Sequence, residues 1–230
     1  MYYRYLNLPF KIKQPDRSLI DEFTGSDVLG FCENDNFTIM NLEKNLKSYR
    51  NTSYDKKIKL EKKIKFDFQY DFEKWFNNYT DKVKLGSYYL LQTKDGIANT
   101  IHSDTKLDQS KTKINFVFAD YNSSLEYFEA NDFYRYKHGD HKNSDNDLLC
   151  ADEKDCIVIE KIKYENYYPI LLDTNIFHRG NNRNCKNRRL TISYDLNFRN
   201  GNAVDFTEAV NVFRDVLVPV ENKFYMLSDF

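Results

Sequence analysis

The run Ile101-His102-Ser103-Asp104 holds the residue types and spacing best suited to chemistry. In an extended segment, residues two apart point to one face, so the His102 imidazole and the Asp104 carboxylate project together. A nitrogen and an oxygen donor on a rigid strand end supply two corners of a two-histidine, one-carboxylate metal site. By itself the pair is weakly specific. With 35 acidic residues and 4 histidines in the chain, His-x-Asp also arises by chance, as a hydrogen-bonded surface pair.

Two further runs add to it. In Tyr168-Pro169-Ile170-Leu171-Leu172-Asp173-Thr174-Asn175-Ile176-Phe177-His178, an apolar stretch reaches a turn and a histidine follows two apolar residues. His178 is there either a third ligand or a satisfied core histidine. In Arg188-Arg189-Leu190-Thr191-Ile192-Ser193-Tyr194, a strand would put Arg189, Thr191 and Ser193 on one face and Leu190, Ile192 and Tyr194 on the other. A guanidinium beside two hydroxyls on an interior face is unfavourable without an anion. It suits a carboxylate, which arginine can hold through two hydrogen bonds.

The order His-x-Asp, distal His, Arg-x-Thr resembles the 2-oxoglutarate/iron(II)-dependent dioxygenase superfamily. Seventy-six positions separate His102 from His178 and eleven separate His178 from Arg189, intervals that fit the family. So do Lys113-Ile114-Asn115-Phe116 after the first motif and Asp173-Thr174-Asn175-Ile176-Phe177 before the second. The wording is similar to that of small phage- and marine-microbe-type oxygenases, and the resemblance covers roughly 86–198. It implies a double-stranded β-helix (jelly roll) with His102, Asp104 and His178 as iron(II) ligands. It implies that Arg189 pairs with the C5 carboxylate of 2-oxoglutarate and that Thr191 adds a hydroxyl. Arg188 rivals Arg189, but strand parity favours Arg189. Ser193, Asn115 and Tyr89 are further candidate lining residues. The implied activity consumes 2-oxoglutarate and O₂, releases succinate and CO₂, and oxidises a second substrate, usually by hydroxylation. The competing class is a cupin-like jelly roll that binds a metal or sugar without oxidation; Arg189 with Thr191 has no use in such a protein.

These residues need strands to position them. Segments 87–93, 99–104, 111–119, 125–128, 157–163, 168–172 and 190–198 read as short strands without helices between them, which predicts a mainly β sandwich or jelly roll. Before them, Ile64, Phe66, Phe68 and Tyr70 alternate as in a half-buried strand. Phe72, Trp75, Phe76, Tyr79 and Val83 then follow at helical spacing. The stretch 131–155 is polar and reads as an irregular, lid-like insertion. A C-terminal helix within 199–230 is predicted from Asp205 and Glu208 at capping-box spacing. Phe206, Ala209, Val210, Phe213, Val216 and Leu217 form its apolar stripe, which ends before Pro219. With no repeat or Gly/Ser/Pro linker, the expectation is one domain over 1–230: a mixed α/β support at 1–85, the jelly-roll core at 86–198 and the closing helix.

Composition narrows the partners. Lys plus Arg is 34 against 35 acidic residues, a net charge of −1, so no global field favours nucleic acid or an anionic membrane. Aromatic residues make up 16%, enough to build a core at a mean hydropathy of −0.73. The N-terminus has no apolar leader region, no stretch is long enough to span a membrane, and the four cysteines form no CxxC. A cytoplasmic protein with free thiols is expected. His138, Asp140, His141, Cys150 and Cys156 could form a zinc clip, but their spacing fits a polar loop better. The lysine run 56–65 reads as a solvated face. No motif names the primary substrate; a peptide side chain and a small molecule both remain open.

Overall fold

In a computed structural model, the described residues are 1–12, 37–41, 67–93, 95–104, 112–136, 148–164, 168–187 and 189–219. The architecture is mainly β, two antiparallel sheets of the double-stranded β-helix (jelly-roll) class. The strands are β1 (Tyr3–Tyr5), β2 (Phe37–Asn41), β3 (Val83–Thr93), β4 (Ile101–Ser103), β5 (Thr112–Phe118), β6 (Ser124–Ala130), β7 (Tyr134–Tyr136), β8 (Leu148–Ala151), β9 (Cys156–Lys163), β10 (Ile170–Asp173), β11 (Phe177–Asn181) and β12 (Arg189–Phe198). The helices are α1 (Asp67–Tyr79) and α2 (Phe206–Val212). The first sheet runs β1-β10-β5-β12-β3-β2 and the second β7-β8-β4-β11-β6-β9. Among the described residues, no helix is long and apolar enough to cross a membrane.

Strand alternation divides the first sheet into two chemically different faces. Ile114, Phe116 and Phe118 of β5 and Leu190, Ile192, Tyr194 and Leu196 of β12 join one core with Phe68, Phe72 and Phe76 of α1 and with Ala209 and Phe213. The helices therefore cover the outer face. The opposite parity of the same strands faces the second sheet. A smaller apolar cluster lies between the sheets, where Ile170 and Leu172 of β10 meet Leu125, Tyr127 and Ile162. It fills one side of the interior and leaves the β5–β12 side to polar residues.

Four sequence expectations need correction. The strand expected over 64–70 does not hold: α1 already begins at Asp67, and residues 64–66 lie outside the described set. Phe68, Phe72 and Phe76 are four apart, so Phe68 extends the helical stripe and packs 5.1 Å from Phe116. The alternation was coincidental, since Tyr70 is 53% exposed on the far side of that helix. Val83 does not continue the helix but opens β3. Of the stretch 131–155 expected as an irregular lid, the described ends are ordered, with β7 and β8 extending the second sheet beside β4 and a 3-10 turn at Glu153–Asp155, while residues 137–147 lie outside the described residues. The C-terminal helix is shorter than the range allowed, ending at Val212 with a 3-10 turn at Arg214–Val216, and residues 220–230 lie outside the description. Its start is capped by Asp205, whose Oδ1 accepts from the Glu208 N–H at 2.9 Å. The lysine run 56–65 is also outside the described residues.

Candidate metal centre

β4 and β11 are neighbours in the second sheet, and their pairing sets His178 directly opposite His102. The ring centroids lie 4.6 Å apart. Asp104 follows β4 immediately, tied there by its N–H donating to the Thr174 carbonyl at 2.9 Å. Ser103 between them points the other way, its hydroxyl donating to the Asn175 carbonyl at 2.6 Å. One ligand atom from each of His102, Asp104 and His178 falls within 4.8 Å of the others, a group able to hold a metal ion.

The electrostatics prepare the same group. Each histidine has Nδ1 beside the carbonyl two residues earlier, Thr100 at 2.9 Å and Ile176 at 2.8 Å. A carbonyl only accepts, so both rings donate from Nδ1 and present the Nε2 lone pair inward, the form that binds metals. Burial, reinforced by neighbouring His102, lowers the His178 pKa to about 4, so the ring is neutral near pH 7. Burial works against charge on Asp104, yet Lys113 and the two histidines outweigh it and hold its carboxyl well below the usual range. The donor set of two imidazoles and one carboxylate fits iron(II).

Lys113 was not singled out from the sequence as a site residue. Its Nζ lies 2.7 Å from Asp104 Oδ2 and 3.8 Å from Asp195 Oδ1. Its parity with Asn115 on β5 was the available signal; the partner, Asp104, lies on the other sheet.

Arg189 is 5% exposed, on the interior face of β12. Its Nε donates to Thr191 Oγ1 at 3.2 Å, and Nη1 donates to the Ser124 carbonyl at 3.4 Å. The guanidinium stacks over the Tyr164 ring at 4.8 Å. Burial pushes the Tyr164 phenol up to about 12, so it stays protonated as a donor. Opposite stands Gly180, where any Cβ would fall on Arg189 Nη1. Among the described residues no carboxylate pairs with Arg189. Tyr164 and Gly180 were missed in the sequence, because nothing local marks either as Arg189's neighbour.

Of the remaining candidates, Thr191, Ser193 and Asn115 are buried on this interior face. Ser193 stands opposite Asn115 in the register, and the Asn115 Oδ1 has no hydrogen-bond partner among the described residues. The backbone of Tyr89 pairs with Ser193, while its side chain lies outside the described residues, as do Arg188, His138, Asp140 and His141. The zinc clip cannot include both cysteines. Cys150 faces the interior opposite His102, whereas Cys156 packs on the outer face with the Phe128 and Phe177 cluster.

The reverse face of β11 carries a second charged group that the sequence did not announce. Arg179 donates through Nε to Glu126 at 2.9 Å and through Nη2 to Glu153 at 2.9 Å, and Arg183 also grips Glu153. Glu126 and Arg179 are both buried.

No protein-family profile and no curated protein matches the chain. Solved structures with loose similarity include E. coli ycfD, at 13% identity and a TM-score of 0.33, covering 63% of this chain and 32% of that one. AviO1 from Streptomyces viridochromogenes Tue57 is 14% identical with a TM-score of 0.36, covering 78% of this chain and 80% of that one. An oxalate oxidase in complex with the substrate analogue glycolate is 12% identical with a TM-score of 0.32, covering 86% and 78%. The chain thus spans about a third of the first of these proteins and most of the other two.

Proposed function

We propose that this protein is an iron(II)- and 2-oxoglutarate-dependent oxygenase, a hydroxylase of a peptide side chain or a small molecule. One observation carries the reading: a buried arginine without a carboxylate partner among the described residues shares the interior with a His-Asp-His group. The spacing along β11 suits this. Gly180, against which Arg189 packs, follows His178 by two residues on β11, about 7 Å along a strand. A five-carbon diacid has about that reach. A simple metal binder has no need of this second anchor, since leaving a guanidinium buried and unpaired is costly.

In this reading His102, Asp104 and His178 would hold iron(II), which would supply the redox chemistry for 2-oxoglutarate and O₂. Arg189 and Thr191 bind the distal carboxylate, with the Tyr164 phenol beside it as a donor. Asn115 and Ser193 line the stretch between. The apolar cluster of Leu125, Tyr127, Ile162, Ile170 and Leu172 keeps water from one side of the interior.

The test is twofold. 2-Oxoglutarate should raise the melting temperature in the presence of manganese, and iron-loaded protein should release succinate in air. No thermal shift together with no succinate would count against the oxygenase and favour a cupin-like binder.

A further inference from the structure

The two oxygens of Asp104 have different surroundings. Oδ1 lies 3.7 Å from His102 Nε2, on the side of the histidines, whereas Oδ2 lies 2.7 Å from Lys113 Nζ. Lys113 is itself held from both flanks of β5. Asp195 stands directly opposite on β12, 3.8 Å from the ammonium, and Leu172 stands opposite on β10, 2% exposed. An apolar neighbour on one side and a carboxylate on the other leave little choice in where the ammonium goes.

A cation beside a metal ligand weakens metal binding, so its presence calls for a physical role. A free carboxylate can chelate through both oxygens and thereby fill two coordination positions. Resting on the reading of His102, Asp104 and His178 as a metal centre, we infer that Lys113 is a positioning residue that makes Asp104 a one-oxygen ligand. It occupies Oδ2 and leaves Oδ1 for the metal. A coordination position is thereby kept open for an incoming chelating ligand, and Asp195 keeps Lys113 in place.

Cobalt(II) is a suitable probe, because its visible spectrum reports coordination without turnover. Lys113→Met should bind cobalt about tenfold more tightly than wild type, through loss of a nearby positive charge. Its spectrum should change, and 2-oxoglutarate should perturb that spectrum less than it perturbs the wild type's. Lys113→Arg should restore the wild-type spectrum. Asp195→Asn should shift the spectrum part of the way. If Lys113→Met folds poorly because two carboxylates are left facing each other, the double variant Lys113→Met/Asp195→Asn removes one charge and should show the same altered spectrum. A wild-type spectrum in both Met variants would overturn the inference and leave the metal centre standing, as would weaker cobalt binding in both. Failure of wild-type protein to bind cobalt would overturn the metal centre itself.

Discussion

Gly180 lies where a side chain would collide with the Arg189 guanidinium, so the absent Cβ on β11 is what admits the arginine between the sheets. The contact links the two halves of the candidate site: β11 also carries His178, and β12 carries Arg189. Gly180→Ala should therefore displace Arg189 and weaken 2-oxoglutarate while His102, Asp104 and His178 keep their metal. Calorimetric titration of manganese, then of 2-oxoglutarate, separates the two. Unchanged 2-oxoglutarate affinity in Gly180→Ala would place the co-substrate elsewhere.

Arg189→Ala should act in the same direction and more strongly. Removing one partner of a desolvated carboxylate–guanidinium pair costs about 2–5 kcal/mol, so the dissociation constant for 2-oxoglutarate should rise by more than about tenfold. Metal affinity should change little. Arg188→Ala serves as the comparison, and a larger effect there than in Arg189→Ala would reverse the assignment.

His102→Ala and His178→Ala should each abolish tight iron(II) binding with the far-ultraviolet circular dichroism retained. Both residues are small losses to packing, since neither belongs to an apolar core cluster. Asp104→Ala should lose succinate release as well, and wild-type release should be independent of chloride. Full metal content in either histidine variant would remove the site.

In metal-free protein, stability should fall as pH drops from about 6.5 to about 4. Burial depresses His178 from its ordinary 6.5 to about 4, so in that window the unfolded chain takes up a proton that the folded chain refuses. Asp104 and Glu126 are depressed carboxylates, whose contributions are lost at still lower pH. His178→Gln should flatten the decline between pH 6.5 and 4 in thermal melts; an identical slope would mean that His178 is not held neutral.

Glu126→Ala should destabilise the fold without touching the candidate metal centre. It removes one of the two carboxylates that hold the buried Arg179 on the reverse face of β11 and leaves Glu153, so the loss should lie below the about 3–5 kcal/mol of a fully stranded charge. Glu153→Ala should cost much less, because that carboxylate is half exposed. Urea unfolding gives both values, and equal losses would contradict the assigned burial.

Much of the local order was legible because it depends on short-range period alone. His102 and Asp104 share a strand end at spacing two, Arg189, Thr191 and Ser193 take one face of β12, and Asp205 caps α2 at spacing three. Where two periods competed, as over 64–70, spacing was ambiguous; packing of Phe68 on Phe116 decided for helix. β7 and β8 are likewise too short for spacing to decide, and they form because β8 pairs with the edge of β4 and β7 in turn with β8. Register between distant segments is not written in either segment. It set His178 against His102 and Asp195 against Lys113. The packing of one sheet on the other then brought Lys113 to Asp104, Arg189 over Tyr164 and Gly180 beneath the guanidinium. Those contacts join residues far apart in the chain, so only the tertiary structure, which brings the strands together and stacks the sheets, could decide them.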